Sequence, residues 1–337
     1  MTRDQRQDDI HTWVADLFRA PFTLAPASAD ASFRRYFRVT FEDVARPSLI
    51  VMDAPPDRED CRPFLAVGAL FAQAGVNVPP VIEQDLTRGF LLLGDLGTTT
   101  YLSAFQTPSA VDGLYSDAID ALIKIQLATR PDLLPPYDRA LLERELMLFP
   151  EWYVGRQKAI ELSTTSRERM AEAFGRIVAN NLEQPKVFVH RDYHSRNLMV
   201  ATPNPGILDF QDAVLGPITY DLVSLLRDAY IEWEEAQVLD WCIRYWERAR
   251  RAALPVPEAF GDFYRDFEWM GAQRQLKVLG IFARLCNRDG KPQYLNDQPL
   301  VMRYLRRTCQ RYSALGGLLR VLDEIEGHPV PTGGYTF

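Results

Sequence analysis

Residues 187–200 read VFVHRDYHSRNLMV, and residues 206–212 read GILDFQD. Asp192 and Asn197 follow one short apolar run, and Asp209 follows the next. An aspartate in such a loop can accept the proton of a substrate hydroxyl, and the asparagine can reach a magnesium ion. Asp209 fits a second metal ligand, because magnesium takes a few protein oxygens together with phosphate oxygens and water. A single HxD is common, but the full ordered set is hard to obtain by chance and predicts phosphoryl transfer.

Two further residues are predicted to brace this loop. Asp221, in the segment YDLVSLL, stands near the start of a predicted helix. From there it can accept backbone N–H groups of the loop, although an ordinary acidic first turn is the alternative interpretation. His190 is predicted to order the loop by hydrogen bonding, because Asp192 already occupies the position of the base.

The segment between Asp209 and Asp221 indicates the class of acceptor. Only eleven residues intervene, with Gly216 and Pro217 turning the chain. A protein kinase places a long activation segment with an APE-like motif here to hold a peptide. The short segment therefore predicts a small-molecule acceptor.

The order of predicted elements is that of a protein-kinase-like, two-lobed α+β fold. A helix over residues 6–19, the strands FRRYFRVTF and PSLIVMDA, a helix within EDCRPFLAVGALFAQAG and the strands VIEQDL and GFLLLGDL predict a small antiparallel lobe. This nucleotide-binding lobe is expected to span residues 1–94. Backbone groups near Asp95 and Leu96 would form a hinge that binds adenine, and a plain strand end is the alternative.

The remainder, residues 95–337, is expected to form a mainly helical lobe that carries the catalytic loop and binds the acceptor. Helical periodicity, punctuated by proline and glycine, recurs in seven segments. These lie near residues 110–129, 138–157, 164–182, 219–230, 234–251, 257–286 and 297–316.

The phosphate-binding loop departs from the kinase pattern. No lysine precedes Lys124 and no glycine precedes Gly68, so the usual strand lysine and glycine-rich loop are missing. Hydroxyl and backbone N–H groups from Ser28 to Ser32, in SADAS, can still bind phosphate oxygens. The nearby cations, which a solvated strand face would also explain, are Arg34, Arg35 and Arg38.

Composition favours a globular enzyme in a reducing cytoplasm. The chain has 337 residues, 47% of them hydrophobic and 25% charged, with a net charge of -7. An acidic balance argues against nucleic acid as a partner, and no apolar run approaches the length of a membrane span. The four cysteines are widely spaced, without a CxxC pair, which argues against a zinc site or a disulfide framework. The chain is expected to act as a monomer.

Several segments together resemble one bacterial family. They are the two catalytic stretches, ASFRRYFRV, LIVMDAPP, ELMLFPEWYVG and QRQLKVLGIFARLCNRDGKPQYL. From about residue 6 to 320 the chain resembles the anomeric N-acetylmuramate/N-acetylglucosamine kinases of the aminoglycoside-phosphotransferase-like superfamily. The resemblance implies that ATP, with Mg²⁺, phosphorylates the anomeric hydroxyl of sugars recovered from peptidoglycan. The product would be the 1-phosphate used for nucleotide-sugar synthesis.

Two groups of residues are candidates for the sugar site. Glu145, Glu151, Trp152 and Tyr153 could bond hydroxyls or stack on a pyranose, and Pro150 interrupts the helical pattern there. Aromatic packing between helices is the alternative interpretation. The second group follows one predicted helix and comprises Gln273, Arg274, Lys277, Arg284 and Asp289.

Within the second group, Arg274 or Arg284 could bind the lactyl carboxylate of N-acetylmuramate, which needs a cation. A solvated helix face is the simpler interpretation of these residues. Two other functions remain open. One is a kinase of another small alcohol or amine, of the aminoglycoside, choline or homoserine type. The other is a nucleotide-binding pseudokinase, which the missing lysine and glycines suggest.

Overall fold

The computed structural model describes residues 4–29 and 33–327, without the side chains of residues 28 and 29. The helices are α1 (Gln5–Phe18), α2 (Arg62–Gln73), α3 (Tyr101–Ala104), α4 (Pro108–Leu127), α5 (Arg139–Leu146), α6 (Thr164–Glu183), α7 (Tyr220–Leu226), α8 (Glu235–Arg251), α9 (Phe260–Asn287), α10 (Gln298–Arg311) and α11 (Gly316–Glu326). The strands are β1 (Phe22–Ala29), β2 (Arg35–Phe41), β3 (Leu49–Asp53), β4 (Val81–Asp85), β5 (Phe90–Gly94), β6 (Lys186–Val189), β7 (Leu198–Met199), β8 (Gly206–Ile207) and β9 (Val214–Pro217).

Two compact units divide the chain. The first comprises Met1–Leu114 with Arg196–Asp212, and the second comprises Tyr115–Ser195 with Ala213–Phe337. Residues 95–114 therefore group with the sheet that precedes them. The functional boundary after residue 94 stays a prediction.

The first unit is built on a five-stranded antiparallel sheet with strand order β1-β2-β3-β5-β4. Alternation explains the core, since successive side chains of a strand point to opposite faces. Phe37, Val39 and Phe41 of β2 are buried in one cluster with Ile10 and Trp13 of α1. The periodic spacing of α1 therefore predicted the face that packs on the sheet.

The second unit is mainly helical, with β6 and β9 paired antiparallel. Its longest helix, α9, has 28 residues and is almost wholly buried from Phe267 to Gly280. Gly280 lies against the backbone of Leu148, in the segment that follows α5. A Cβ atom added at Gly280 would lie 2.4 Å from the carbonyl carbon of Leu148. The absence of a side chain at Gly280 is therefore what allows the two segments to approach.

The segment predicted to be helical near residues 138–157 is helical, but it changes type along its length. α5 ends at Leu146, and a π-helix follows over Phe149–Gln157. Pro150 has no N–H to give to Leu146, so one α-helical hydrogen bond is missing where the two helix types meet. The helical segment predicted near residues 297–316 corresponds to α10, which ends at Arg311, and α11 begins where the predicted segment ends, at Gly316.

No helix among the described residues is both long and apolar enough to cross a membrane.

Candidate active site

The loop after β6 is held by α7 through backbone hydrogen bonds. The carboxylate of Asp221 accepts the N–H groups of His190 at 2.7 Å and of Arg191 at 2.9 Å. His190 Nδ1 in turn accepts the N–H of Asp192 at 3.2 Å. These bonds have the geometry of the bracing role predicted for His190 and Asp221, and their effect on catalysis stays a prediction.

Arg191 has a backbone conformation that only its surroundings can maintain. Its φ is 78°, in the left-handed region that residues other than glycine rarely adopt. Such strain persists where neighbouring groups hold the backbone in place, and it is concentrated at functional sites. Asp221 binds the N–H of Arg191, and Ser224 Oγ donates to its carbonyl at 3.4 Å.

Asp192 is surrounded by positive charge in the second unit. Burial by itself would raise the pKa of this carboxyl group. The charge of Lys277, followed by those of His194, Arg274 and His190, outweighs the burial and lowers the pKa to about 2. Asp192 is therefore ionised at neutral pH, as a residue that accepts a proton must be.

The pKa of Asp221 is shifted in the opposite direction to that of Asp192. Burial raises its pKa, the hydrogen bonds from the His190 and Arg191 N–H groups lower it, and the negative charge of Asp192 raises it again, to about 7. The two neighbouring carboxyl groups thus differ in pKa because burial prevails at Asp221, whereas Lys277 and the other nearby cations prevail at Asp192.

In the first unit, the β7–β8 hairpin brings the two predicted metal ligands together. Leu198 pairs with Ile207, and the N–H of Leu208 donates to the Asn197 carbonyl at 2.9 Å. The Asn197 Nδ2 and Asp209 Oδ2 atoms consequently lie 3.4 Å apart. Asp209 has a φ of 61° and is therefore another non-glycine residue with a left-handed backbone conformation.

This donor set fits a magnesium ion. The amide oxygen of Asn197 and the carboxylate of Asp209 are hard oxygen ligands, and Mg²⁺ is commonly held by one or two such groups together with substrate phosphates and water. Within residues 4–29 and 33–327 no cluster of three or more histidine, cysteine or acidic side chains could hold a metal. A two-ligand site completed by nucleotide phosphates is compatible with both observations.

Arg34 lies closest to this pair among the arginines predicted to bind phosphate. Its Nη2 atom is 4.0 Å from Asp209 Oδ1, and its Nε atom is 3.9 Å from Glu59 Oε2. Arg35 instead donates to Asp53 Oδ2 at 2.6 Å and contacts Asp4. Arg35 is thus compensated by two carboxylates, whereas Arg34 is the better placed to meet phosphates near the metal ligands.

The other residues considered for ATP binding belong to the five-stranded sheet or to the segments next to it. The Asp95 carboxylate accepts bonds from Arg38 Nε at 2.6 Å, from Ser48 Oγ at 2.7 Å and from the Gly97 N–H at 2.9 Å. Leu96 packs against Gly206, where an added Cβ would lie 2.9 Å from Leu96 Cδ1. Ser28 belongs to β1, and Ser32 lies outside the described residues.

Of the predicted sugar residues, Glu145 and Arg274 are buried. Glu145 Oε1 lies 2.6 Å from Arg191 Nη2 and 3.2 Å from Lys277 Nζ, and its other oxygen accepts the Tyr137 hydroxyl. Arg274 donates from Nε to Ser224 Oγ at 2.5 Å. Burial in this network favours a positioning role for both residues over the sugar contacts that the sequence predicts.

The solvated-face interpretation of α9 is therefore wrong for Gln273, Arg274 and Lys277, which are all buried. Lys277 belongs to the second group of candidate residues, and its position inside the apolar run LKVLGIF was a signal that it is buried. A lysine in such a run is almost never fully buried unless it is paired. Its partner Glu145 is far away in sequence, so the pairing could not be read from the run alone.

Glu151, Trp152 and Arg284 are more accessible. Glu151 is exposed, and Trp152 and Arg284 are half-buried. The Arg284 Nε atom is buried without a hydrogen-bond partner among the described residues. Burial and the nearby charge of Arg288 lower the pKa of Arg284, against the opposing effects of Asp289 and Glu151. Arg284 is therefore an under-compensated cation.

A family match identifies the chain as a phosphotransferase. The model of the phosphotransferase enzyme family matches residues 23–254, and the chain belongs to that family. A solved choline/ethanolamine kinase family protein from Mesorhizobium loti has a TM-score of 0.63 at 14% identity, covering 95% of this chain and 99% of that one. The α+β, protein-kinase-like fold class and the enzyme class predicted from the sequence are confirmed.

Relatives of higher sequence identity show which members of the family the chain is most similar to among those compared. The N-acetylmuramate/N-acetylglucosamine kinase of Neisseria meningitidis serogroup B is 50% identical over 99% of this chain and all of its own. The protein of the same name from Pseudomonas aeruginosa is 49% identical, over 96% of this chain and 98% of its own. The family resemblance found in the sequence motifs is confirmed.

Proposed function

We propose that the protein transfers the γ-phosphoryl group of ATP to the anomeric hydroxyl of N-acetylmuramate and N-acetylglucosamine. The observation that carries the proposal is the identity of about half of all positions, over nearly the whole length, to relatives bearing those substrates in their names. Cytoplasmic peptidoglycan recycling is the corresponding biological setting.

Asp192 serves as the base in this proposal, and Asn197 and Asp209 hold Mg²⁺. The metal, when bound, neutralises charge on the phosphates. A carboxylate with a pKa of about 2 is a weak base. Anomeric hydroxyls are more acidic than other sugar hydroxyls, so a weak base such as Asp192 is sufficient to accept their proton. Positioning and charge stabilisation then supply most of the rate.

Arg34 supplies the cation that a strand lysine provides in other kinases. Its position near Asp209 and Glu59 supports this role, since a phosphate group there would meet a guanidinium that is only 11% exposed. Partial burial strengthens a charge-assisted hydrogen bond to phosphate. Backbone groups at Asp95 and Leu96 are assigned to adenine, as the order of strands predicts.

The sugar is assigned to the accessible part of the π-helix and the end of α9. Trp152 offers an aromatic face for the pyranose, and Glu151 can accept bonds from sugar hydroxyls. Arg284 is assigned to the lactyl carboxylate of N-acetylmuramate, because its buried Nε atom has no hydrogen-bond partner among the described residues.

An acceptor panel tests the proposal. The purified protein is incubated with Mg-ATP and, separately, N-acetylmuramate, N-acetylglucosamine, choline, homoserine and an aminoglycoside. ADP formation identifies the acceptor, and phosphorus NMR locates the phosphate. We expect transfer to the two amino sugars, with a product that no longer reduces ferricyanide, and no transfer by Asp192→Asn. A reducing product phosphorylated on C6 would refute the anomeric assignment. Transfer only to choline, homoserine or the antibiotic would refute the sugar assignment, and tight ATP binding without any transfer would favour a pseudokinase.

A further inference from the structure

Lys277 is a buried cation in the middle of α9. Only 6% of it is exposed, and its neighbours Leu276, Val278 and Leu279 are buried as well. Removing an ammonium group from water is costly unless partners compensate for the lost hydration. The contacts of Lys277 therefore indicate why α9 has a lysine at this position.

Its two partners connect α9 with α5 and α7. Lys277 Nζ lies 3.2 Å from Glu145 Oε1 and donates to the Tyr220 hydroxyl at 2.9 Å. Burial lowers the pKa of Lys277, but the effects of Glu145, Tyr220 and Asp192 together outweigh burial, and the net pKa is raised. The group is therefore an ammonium ion at neutral pH.

The Glu145 carboxylate connects Lys277 with the catalytic loop. The oxygen that faces Lys277 also accepts from Arg191 Nη2 at 2.6 Å. Arg191 directly precedes Asp192 and has the strained left-handed backbone described above. Its N–H is held by Asp221, its carbonyl by Ser224 and its side chain by Glu145. Without Lys277, the carboxylate that fixes Arg191 would lose one of its two compensating cations.

Lys277 also acts on Asp192 through charge. The charged groups around Asp192 are Lys277 and Arg274 from α9, His190 and His194 from its own loop, and Asp221 from α7. Lys277 has the largest effect of the groups that favour the ionised carboxylate. A single side chain thus contributes both to the position of the loop and to the charge state of its base.

We propose that Lys277 is the positioning residue of the catalytic loop: its ammonium group holds Glu145 against Arg191 and presents a fixed positive charge to Asp192. This inference rests on the proposed role of Asp192 as the base and does not depend on which acceptor is used. A purely structural ion pair would behave differently. Replacing such a pair with apolar groups is often neutral for stability, and it would leave turnover unchanged in a protein that stays folded.

The test compares Lys277→Met, which removes the charge, with Lys277→Arg, which keeps it. Lys158→Met is the matched control, because Lys158 is exposed directly after the π-helix and outside the network. We expect Lys277→Met to lower kcat about 100-fold, as misplacement of a catalytic group does, with KM for ATP and acceptor nearly unchanged. Lys277→Arg should recover most of kcat, and Lys158→Met should match the wild type.

Amide hydrogen exchange provides a second readout that needs no acceptor. In Lys277→Met, amide exchange should rise in the peptide covering residues 190–193 and remain unchanged in α9. A kcat within about threefold of the wild type, with unchanged loop exchange, would overturn the proposal. So would a loss of kcat that Lys277→Arg does not recover and that accompanies faster exchange throughout the second unit, since general destabilisation would explain it.

A double variant covers the case in which Lys277→Met does not fold. Lys277→Met with Glu145→Gln removes both charges of the pair and leaves no unpaired carboxylate. It should fold and still lose turnover about 100-fold, because the loop has lost its anchor and its facing charge. Wild-type turnover in this variant would overturn the proposal. Failure of the wild type to phosphorylate any acceptor would count against the proposed function, and loop exchange would still decide the role of Lys277.

Discussion

Replacing Glu145 with glutamine should destabilise the second unit strongly. The substitution keeps the size of the side chain and one acceptor oxygen, but it removes the negative charge between Arg191 at 2.6 Å and Lys277 at 3.2 Å. Breaking a buried ion pair by removing one partner costs about 3–5 kcal/mol, because the remaining charge stays buried without compensation. For a unit of roughly 200 residues, a loss of that size lowers Tm by about 6–20 °C.

Glu143→Gln is the matched control. Glu143 is on the same helix, but it is exposed and pairs with Arg139 at 3.2 Å. Exposed pairs contribute about 0–1 kcal/mol, so the Tm of this variant should fall by no more than about 4 °C.

Thermal unfolding followed by circular dichroism, at one buffer composition, measures both variants. Adding Lys277→Met to Glu145→Gln should restore part of the lost stability, because one uncompensated cation is removed. If Glu145→Gln melts within about 2 °C of the wild type, or no lower than Glu143→Gln, the buried charges are compensated in some other way and the argument fails.

Four further outcomes are expected. Asp192→Asn should reduce turnover by at least about 100-fold while ATP affinity, measured by calorimetry, stays unchanged, since the base acts on the acceptor. Asp209→Ala should abolish the magnesium dependence of nucleotide binding, and a titration with and without Mg²⁺ checks this. Arg284→Gln should raise KM about tenfold for N-acetylmuramate alone, whereas Arg288→Gln, whose arginine already pairs with Asp289 at 2.6 Å, should discriminate between neither sugar. Because the pKa of Asp221 is raised to about 7, its bracing carboxylate is protonated as the pH falls through 7, and kcat/KM should fall with it. Asp221→Asn should have lower activity and should lack this fall of kcat/KM below pH 7. If the fall remains in the variant, it arises from the titration of another group.

The parts of the fold that depend on local pattern were predictable. Helix α1 and strand β2 follow from spacing, because a period near 3.6 or 2 decides which side chains share a face. The catalytic side chains were found for a similar reason. Asp192, Asn197 and Asp209 belong to two short stretches whose order alone carries chemical meaning.

The parts that depend on distant partners were not predictable. Arg35 could have faced phosphate, but Asp53, on the neighbouring strand, binds it. Lys277 and Arg274 had the spacing of a solvated helix face, and only the fold could bring α5 and α7 against them. Periodicity reports which residues lie on one side of a helix, and it does not report whether that side meets water or another charged segment.

The π-helix over Phe149–Gln157 has a consequence for how acceptor preference can change. A wider turn accommodates one residue more than α-helical spacing would, and such turns occur frequently at functional sites. Deleting one residue in this segment would return it to regular spacing and rotate every later side chain by about 100° around the axis. Trp152 could then be turned away from its present direction without being replaced. Insertions and deletions, rather than substitutions, are therefore the changes through which relatives of this enzyme could most abruptly acquire a different acceptor.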